Sequence, residues 1–422
     1  MTKVGVVGAG VAGAFAALEA ARMGADVTIY DSSDRLPTLR SSWPPILSGG
    51  EARRLLNEAV LSRNGVRLNL AERVSGLASA ALTSRGGYSR FDSLIVATGS
   101  GAAGERLLGL GRSGTHVLDR EAAFYELRDS LGNHSAFVVT GSGLMAAAVA
   151  DALAVSGANV SLLSPSGPFS SQVSPGPRGV LLRAARDRGV RIVDSAPWRV
   201  VGVGRVEALI TAETVMPCDA FLVVPKLRPS LPPSNLVIGR GGGIAVDQFA
   251  STSARGVYAA GDCAEVVVGS GTLPLTSESA AMATGRVAGA NAAGARFATR
   301  AANSFACEVF GTSICISGLT LALARGCGFD ALEYSKVWDE ALACSLVVEA
   351  GTLTLLGAQV AGRNARMLAD SLSTAVSQRM NLRELAYLES PGSTDISPTS
   401  GTATEALTEL ATACAGSGLR PR

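Results

Sequence analysis

The chain has 422 residues, enough for two or three domains that each bury a core of their own. Hydrophobic residues make up 47% and charged residues 17%, and the net charge is only +2, which argues against a nucleic-acid or anionic-polymer surface. No apolar run reaches membrane-spanning length and no stretch has the build of a secretion signal, so a cytoplasmic protein without a membrane role is expected.

In chain order, the first signal is the apolar run Lys3-Val4-Gly5-Val6-Val7, followed by the turn Gly8-Ala9-Gly10-Val11-Ala12-Gly13. A helix over residues 14–23 and a second apolar run, residues 25–30, lead to Asp31. Strand, tight turn, helix, strand and acid each have a task on a dinucleotide. Gly8 permits the turn, Gly10 lets backbone N–H groups reach a pyrophosphate, and Gly13 lets helix and strand pack closely. Asp31 is placed to accept from an adenosine ribose. The alternative is a glycine-rich turn with no ligand.

A buried-type strand then breaks at Ala97-Thr98-Gly99-Ser100. A second strand–turn–helix unit starts at residues 135–140, turns through Gly141-Ser142-Gly143, and continues as a helix (144–155) and a strand (158–163). A helix over residues 179–188 and further strands follow, up to residues 222–224. Next comes Gly241-Gly242-Gly243-Ile244-Ala245-Val246-Asp247, then a strand ending at Gly261-Asp262, then a small-residue helix over residues 279–294 that contains Ala281. Gly261 allows close backbone approach, and Asp262 is a carboxylate able to hold a ribityl hydroxyl. From about residue 300, strands at 346–348 and 353–361 mix with helices at 365–376 and 382–388. A turn-rich stretch and a last helix at 404–414 close the chain.

These segments, in this order and spacing, resemble the FAD-dependent pyridine nucleotide-disulfide oxidoreductases, nearest the NADH oxidase and coenzyme A-disulfide reductase branch. The resemblance implies an α/β fold with two Rossmann-like dinucleotide-binding domains, the second inserted in the first, and an α+β carboxy-terminal interface domain. The expected parts are residues 1–113 and 241–299 for FAD, 114–240 for a degenerate NAD(P)-binding-like unit, and 300–422 for pairing two subunits as a homodimer. The implied FAD contacts are Gly8, Gly10, Val11, Ala12, Gly13, Asp31, Ser42, Val74, Ala97, Thr98, Gly99, Gly261, Asp262 and Ala281.

The departures from this pattern bear on function. The family's redox cysteine beside the flavin falls on Ser42, within Arg40-Ser41-Ser42-Trp43-Pro44-Pro45. A hydroxyl cannot form a disulfide or cycle through a sulfenate, so disulfide chemistry is not expected. Ser42 is then either a catalytic residue or one that hydrogen-bonds the flavin or fills space. In the second fingerprint a glutamate that helps orient nicotinamide falls on Ala148, and the acid that ends the second strand is Ser164. Arg178 is the nearest residue for a 2′-phosphate, so NAD(P)H binding is in question. Near Tyr387-Leu388-Glu389, where relatives bring residues over the partner's flavin, there is no histidine.

Seven cysteines and two histidines show no metal-ligand or redox-pair spacing, so buried thiols, structural His116 and His134, and no metal site are expected. Glu265 and Glu278 stand as general-base candidates, the alternative being solvated or capping carboxylates. The leading expectation is an FAD-dependent oxidase or dehydrogenase that oxidises a small organic substrate, or an acyl group on a carrier protein, with oxygen as acceptor, in biosynthesis. The alternatives are an NAD(P)H oxidase or reductase and a non-catalytic flavin-bound partner protein.

Overall fold

A computed structural model describes residues 1–102, 107, 109–165, 167–338, 341–363, 365–386 and 412. The expected helix at 404–414, apart from Thr412, and the segment 387–389 lie outside the described residues. The strands Lys3–Val7, Asp26–Tyr30 and Ser93–Val96 are apolar almost throughout because both faces are covered. Helices lie on one side, and the meander Val74–Ala78, Ala81–Ser84 and Gly87–Arg90 lies on the other. These strands form a parallel sheet in the order Val257–Ala259, Ser93–Val96, Lys3–Val7, Asp26–Tyr30, Arg67–Asn69. Its first strand in that order arrives from beyond the whole middle unit, so segments on both sides of that unit complete one sheet.

The middle unit repeats the plan with Arg191–Val193, Asn159–Leu163, Ala136–Thr140, Ala220–Val223 and Thr115–Val117, again all parallel. The third sheet is antiparallel, in the order Phe305–Val309, Thr312–Gly318, Leu355–Gly362, Leu342–Glu349, Ala331–Trp338. One face packs on helix Ala369–Ser377, and the other on helix Pro175–Asp187 of the middle unit. That last helix starts four residues before the expected position. Pro175 is suited to the first helical turn, where no N–H is needed, and Ser174 precedes it as the N-cap residue.

Two junctions fix the functional region. Helix Val11–Arg22 and helix Glu278–Ala292 cross in close contact. A Cβ on Gly285 would stand 2.3 Å from the Ala12 carbonyl oxygen, and one on Gly289 would stand 2.1 Å from that of Ala16, so only glycine lets the backbones meet. The second junction is the turn after Leu39. Trp43, Ile46 and Leu47 are buried with Phe124, Leu144 and Ala147 of the middle unit, so the two dinucleotide-type units share a core. The Trp43 ring lies 5.7 Å from Phe124, and its N–H donates to Thr38, which donates in turn to Glu121. Trp43-Pro44-Pro45 therefore joins two units. Among the described residues no helix is long and apolar enough to cross a membrane.

Candidate functional site

At the carboxyl ends of the first sheet, the sequence turns converge from three separate segments. Gly8 takes φ +103°, and a Cβ there would lie 2.2 Å from the Ala97 carbonyl oxygen; one on Gly13 would overlap the Gly8 carbonyl. The fingerprint is thus locked to the Ala97-Thr98-Gly99 turn, with the Ala97 N–H donating to Val7. Gly10 precedes helix Val11–Arg22 with no side-chain cap and open space where a Cβ would be. A helix amino terminus left uncapped, facing open space, is what a phosphate requires. Val11 and Ala12 follow on its first turn.

Asp31 lies at the end of the second strand, where its carboxylate accepts from the Ala9 N–H at 2.6 Å and the Ser33 N–H at 2.7 Å. Each oxygen keeps a lone pair for a ribose hydroxyl. Residues 71–72 donate to the carbonyls of Ser33 and Asp31, which brings Val74 to the same end of the sheet. Across the sheet, Gly261 and Asp262 form a short turn held by the Gly261 N–H to Thr284, and Ala281 packs beside Gly261. Gly99 accepts from Ser230, where Leu227–Pro229 pairs with Ser100–Ala102.

Sequence reasoning missed the polar chain beneath these turns. Arg40 donates to the Ser100 hydroxyl (3.0 Å) and carbonyl (2.6 Å), and the Ser100 hydroxyl donates to Asp262 at 2.7 Å. Burial pushes the Asp262 carboxyl above its ordinary value, opposed by Ser100 and the Arg40 charge. Burial pulls the Arg40 guanidinium below its usual range, opposed by Asp262. The only sequence signal was Ser100 directly after a flavin-type turn.

Comparison with known proteins bears on this arrangement. Residues 2–285 match the Pyridine nucleotide-disulphide oxidoreductase family. The chain belongs to that family. It is 26% identical over 228 residues to an NADH oxidase of Streptococcus pneumoniae, covering 50% of each chain. A mercuric reductase of Acidithiobacillus ferrooxidans is 25% identical over 324 residues, covering 70% of this chain and 54% of the relative. The chain spans about half the length of the curated relatives it matches. Among solved structures, the water-forming NADH oxidase of Lactobacillus brevis bound to NADH superposes with a TM-score of 0.85 at 20% identity over 98% of both chains. The fold is that of the NADH oxidases and coenzyme A-disulfide reductases, two parallel Rossmann-like sheets and an antiparallel carboxy-terminal sheet. FAD is the cofactor expected of this family, and the open Gly10 terminus, Asp31 and Asp262 fit it.

Ser42, expected at the position of the family's redox cysteine, is buried. Its hydroxyl donates to the Leu39 carbonyl at 2.6 Å and accepts from the Arg53 N–H at 2.8 Å. Its proton is committed to a carbonyl, and among the described residues no base is bonded to it, so in this conformation the hydroxyl closes its own loop. Glu278 accepts from the N–H and hydroxyl of Ser41, tying this turn to the helix that begins at Glu278. Glu265 is fully buried and accepts from Gly241, Gly243 and Thr272, so it is a loop clamp, neither a base nor a solvated carboxylate. Burial pushes the thiols of Cys218 and Cys307 up to about 11 and that of Cys315 to about 12, so none is a thiolate at neutral pH.

In this conformation the middle unit's glycine turn is paired with groups of its own chain. The Leu144 N–H, where the helix begins, donates to Gln172 Oε1, and the Phe169 N–H donates to the Ser142 carbonyl. Ser164, in place of a ribose-binding acid, is fully buried, and Arg178 Nε donates to the Pro168 carbonyl.

Proposed function

We propose that this chain is an FAD-dependent NAD(P)H oxidase or reductase that delivers electrons to oxygen or a small acceptor without a redox cysteine. The observation that carries the reading is the convergence of Gly8–Gly13, Asp31, Ala97–Gly99 and Gly261–Asp262 on one sheet end, with Ser42 committed to its own loop. Its sequence similarity to NADH oxidases points to a nicotinamide donor. Bound FAD supplies the hydride chemistry. The chain's part is to seat it: the Gly10 terminus toward the pyrophosphate, Asp31 toward the adenosine ribose, and Asp262 toward the ribityl chain. A homodimer through the carboxy-terminal sheet belongs to the same proposal.

A second reading is favoured by the covered middle turn: electrons enter from a small organic substrate or a carrier-bound acyl group, and oxygen reoxidises the flavin. Anaerobic titration of the flavin-loaded protein with NADH and NADPH, followed by flavin absorbance, separates the two. Bleaching on nucleotide addition is the expected result. A protein that stays oxidised with both nucleotides overturns the first reading and turns the search to organic donors.

A further inference from the structure

Residues 167–174 run across the middle unit's glycine turn and are tied down at both ends. At one end the Gly167 N–H donates to the Ser164 carbonyl and to Asp194, and the Phe169 ring is buried in the core that the two dinucleotide-type units share. In the centre, Gln172 Oε1 accepts from the Leu144 N–H at 3.2 Å. That N–H directly follows the second glycine of the turn, the place where a backbone donor faces a pyrophosphate. At the other end Gln359, buried on the strand Leu355–Gly362, accepts from the Ser174 N–H at 2.7 Å and donates to the Gln172 carbonyl at 3.1 Å.

The closed arrangement also carries costs. Phe169 sits at φ +65°, a left-handed conformation that a bulky side chain rarely adopts. The Ser164 hydroxyl, at the strand end where a nucleotide ribose would lie, is fully buried and has no hydrogen-bond partner among the described residues. An unpaired buried hydroxyl is a cost carried by the arrangement in which this segment lies. Burial of the Phe169 ring and the Gln359 bonds oppose opening. These are opposing terms on one short segment, as a two-position element requires.

We propose that residues 167–174 are a strap that closes the second dinucleotide site, with Gln172 standing in for a nucleotide phosphate oxygen and Gln359 as the latch. A nicotinamide nucleotide enters only when the strap lifts. The latch lies in the carboxy-terminal sheet, so strand Leu355–Gly362 biases access to a site in another part of the fold. This inference rests on the NAD(P)H reading above. An occupant that must be displaced raises the apparent Kd to the intrinsic value divided by the fraction of time the site is open.

The test is calorimetric titration of the flavin-loaded full chain, wild type, Gln172→Ala and Gln359→Met, with NADH and with NADPH. Gln172 is exposed, so its truncation leaves the fold intact, and it decides the question if Gln359→Met does not fold. Expected is about 2- to 10-fold tighter binding of both nucleotides by Gln172→Ala, the value of one net hydrogen bond. Equal or weaker binding by the variants, or no binding by any of the three, overturns the strap. Flavin absorbance in the same cell separates the two ideas. Tighter binding without bleaching upholds the strap and sinks the NAD(P)H oxidase reading. Bleaching of wild type with no gain in the variants does the reverse.

Discussion

At the residue scale, Asp262 is the proposed anchor for the flavin's ribityl chain. Its carboxylate is held by Ser100, which is itself held by Arg40, so it meets a ligand already oriented. A hydrogen bond to a charged group contributes about 1.5–3 kcal/mol, so Asp262→Ala is expected to weaken FAD binding about 10- to 100-fold. Fluorescence titration of apoprotein with FAD measures this, and unchanged affinity would remove Asp262 from the site. Ser42 teaches a different lesson at the same scale. Sequence shows that a thiol is missing, but the fate of the hydroxyl depends on Leu39 and on Arg53, which lies across the loop.

Among the elements, the crossing of helix Val11–Arg22 with helix Glu278–Ala292 fixes the proposed site, because one bears the uncapped terminus proposed to face the pyrophosphate and the other backs the Gly261–Asp262 turn. The contact is built from Gly285 and Gly289 against the Ala12 and Ala16 carbonyls. A methyl at Gly285 has backbone in its path and forces the helices apart. Overpacking of this kind typically costs about 1–3 kcal/mol, and Gly285→Ala is expected to lower both the melting temperature and the flavin content. Thermal unfolding with the flavin-to-protein absorbance ratio checks it, and a variant with full flavin and unshifted melting would show that the contact yields. The strand–turn–helix pattern of each unit was legible because it is local. Helix Pro175–Asp187 starts four residues before its expected position because Pro175 at the first turn extends it, which the spacing of apolar residues does not show.

At the scale of the molecule, the Trp43-Pro44-Pro45 turn is a joint. Trp43 carries the shared core from the first unit to Phe124 and the helix Leu144–Val155, while helix Pro175–Asp187 lies on the carboxy-terminal sheet. Truncation of a buried aromatic typically costs about 3–5 kcal/mol. Trp43→Ala is therefore expected to split a single calorimetric transition into two as the units uncouple. One undivided transition at the wild-type temperature would mean that Ile46 and Leu47 suffice to hold them.

By itself the sequence determined the two Rossmann-like units and the order of Gly8–Gly13, Asp31 and Gly261–Asp262 that brings them to one end of the first sheet. Turn glycines, short apolar strands and a terminal acid act within a few dozen residues, so their order along the chain already describes their geometry. Only the tertiary structure decided the Arg40–Ser100–Asp262 chain, the Trp43 joint and the Gln172–Gln359 bond. The hydrogen-bonded partners lie 60 and 162 residues apart in the chain and 187 apart in the last bond. Hydrogen bonds of that reach exist only once three sheets have packed, and no periodicity in the chain encodes which side chain will arrive opposite an unpaired N–H.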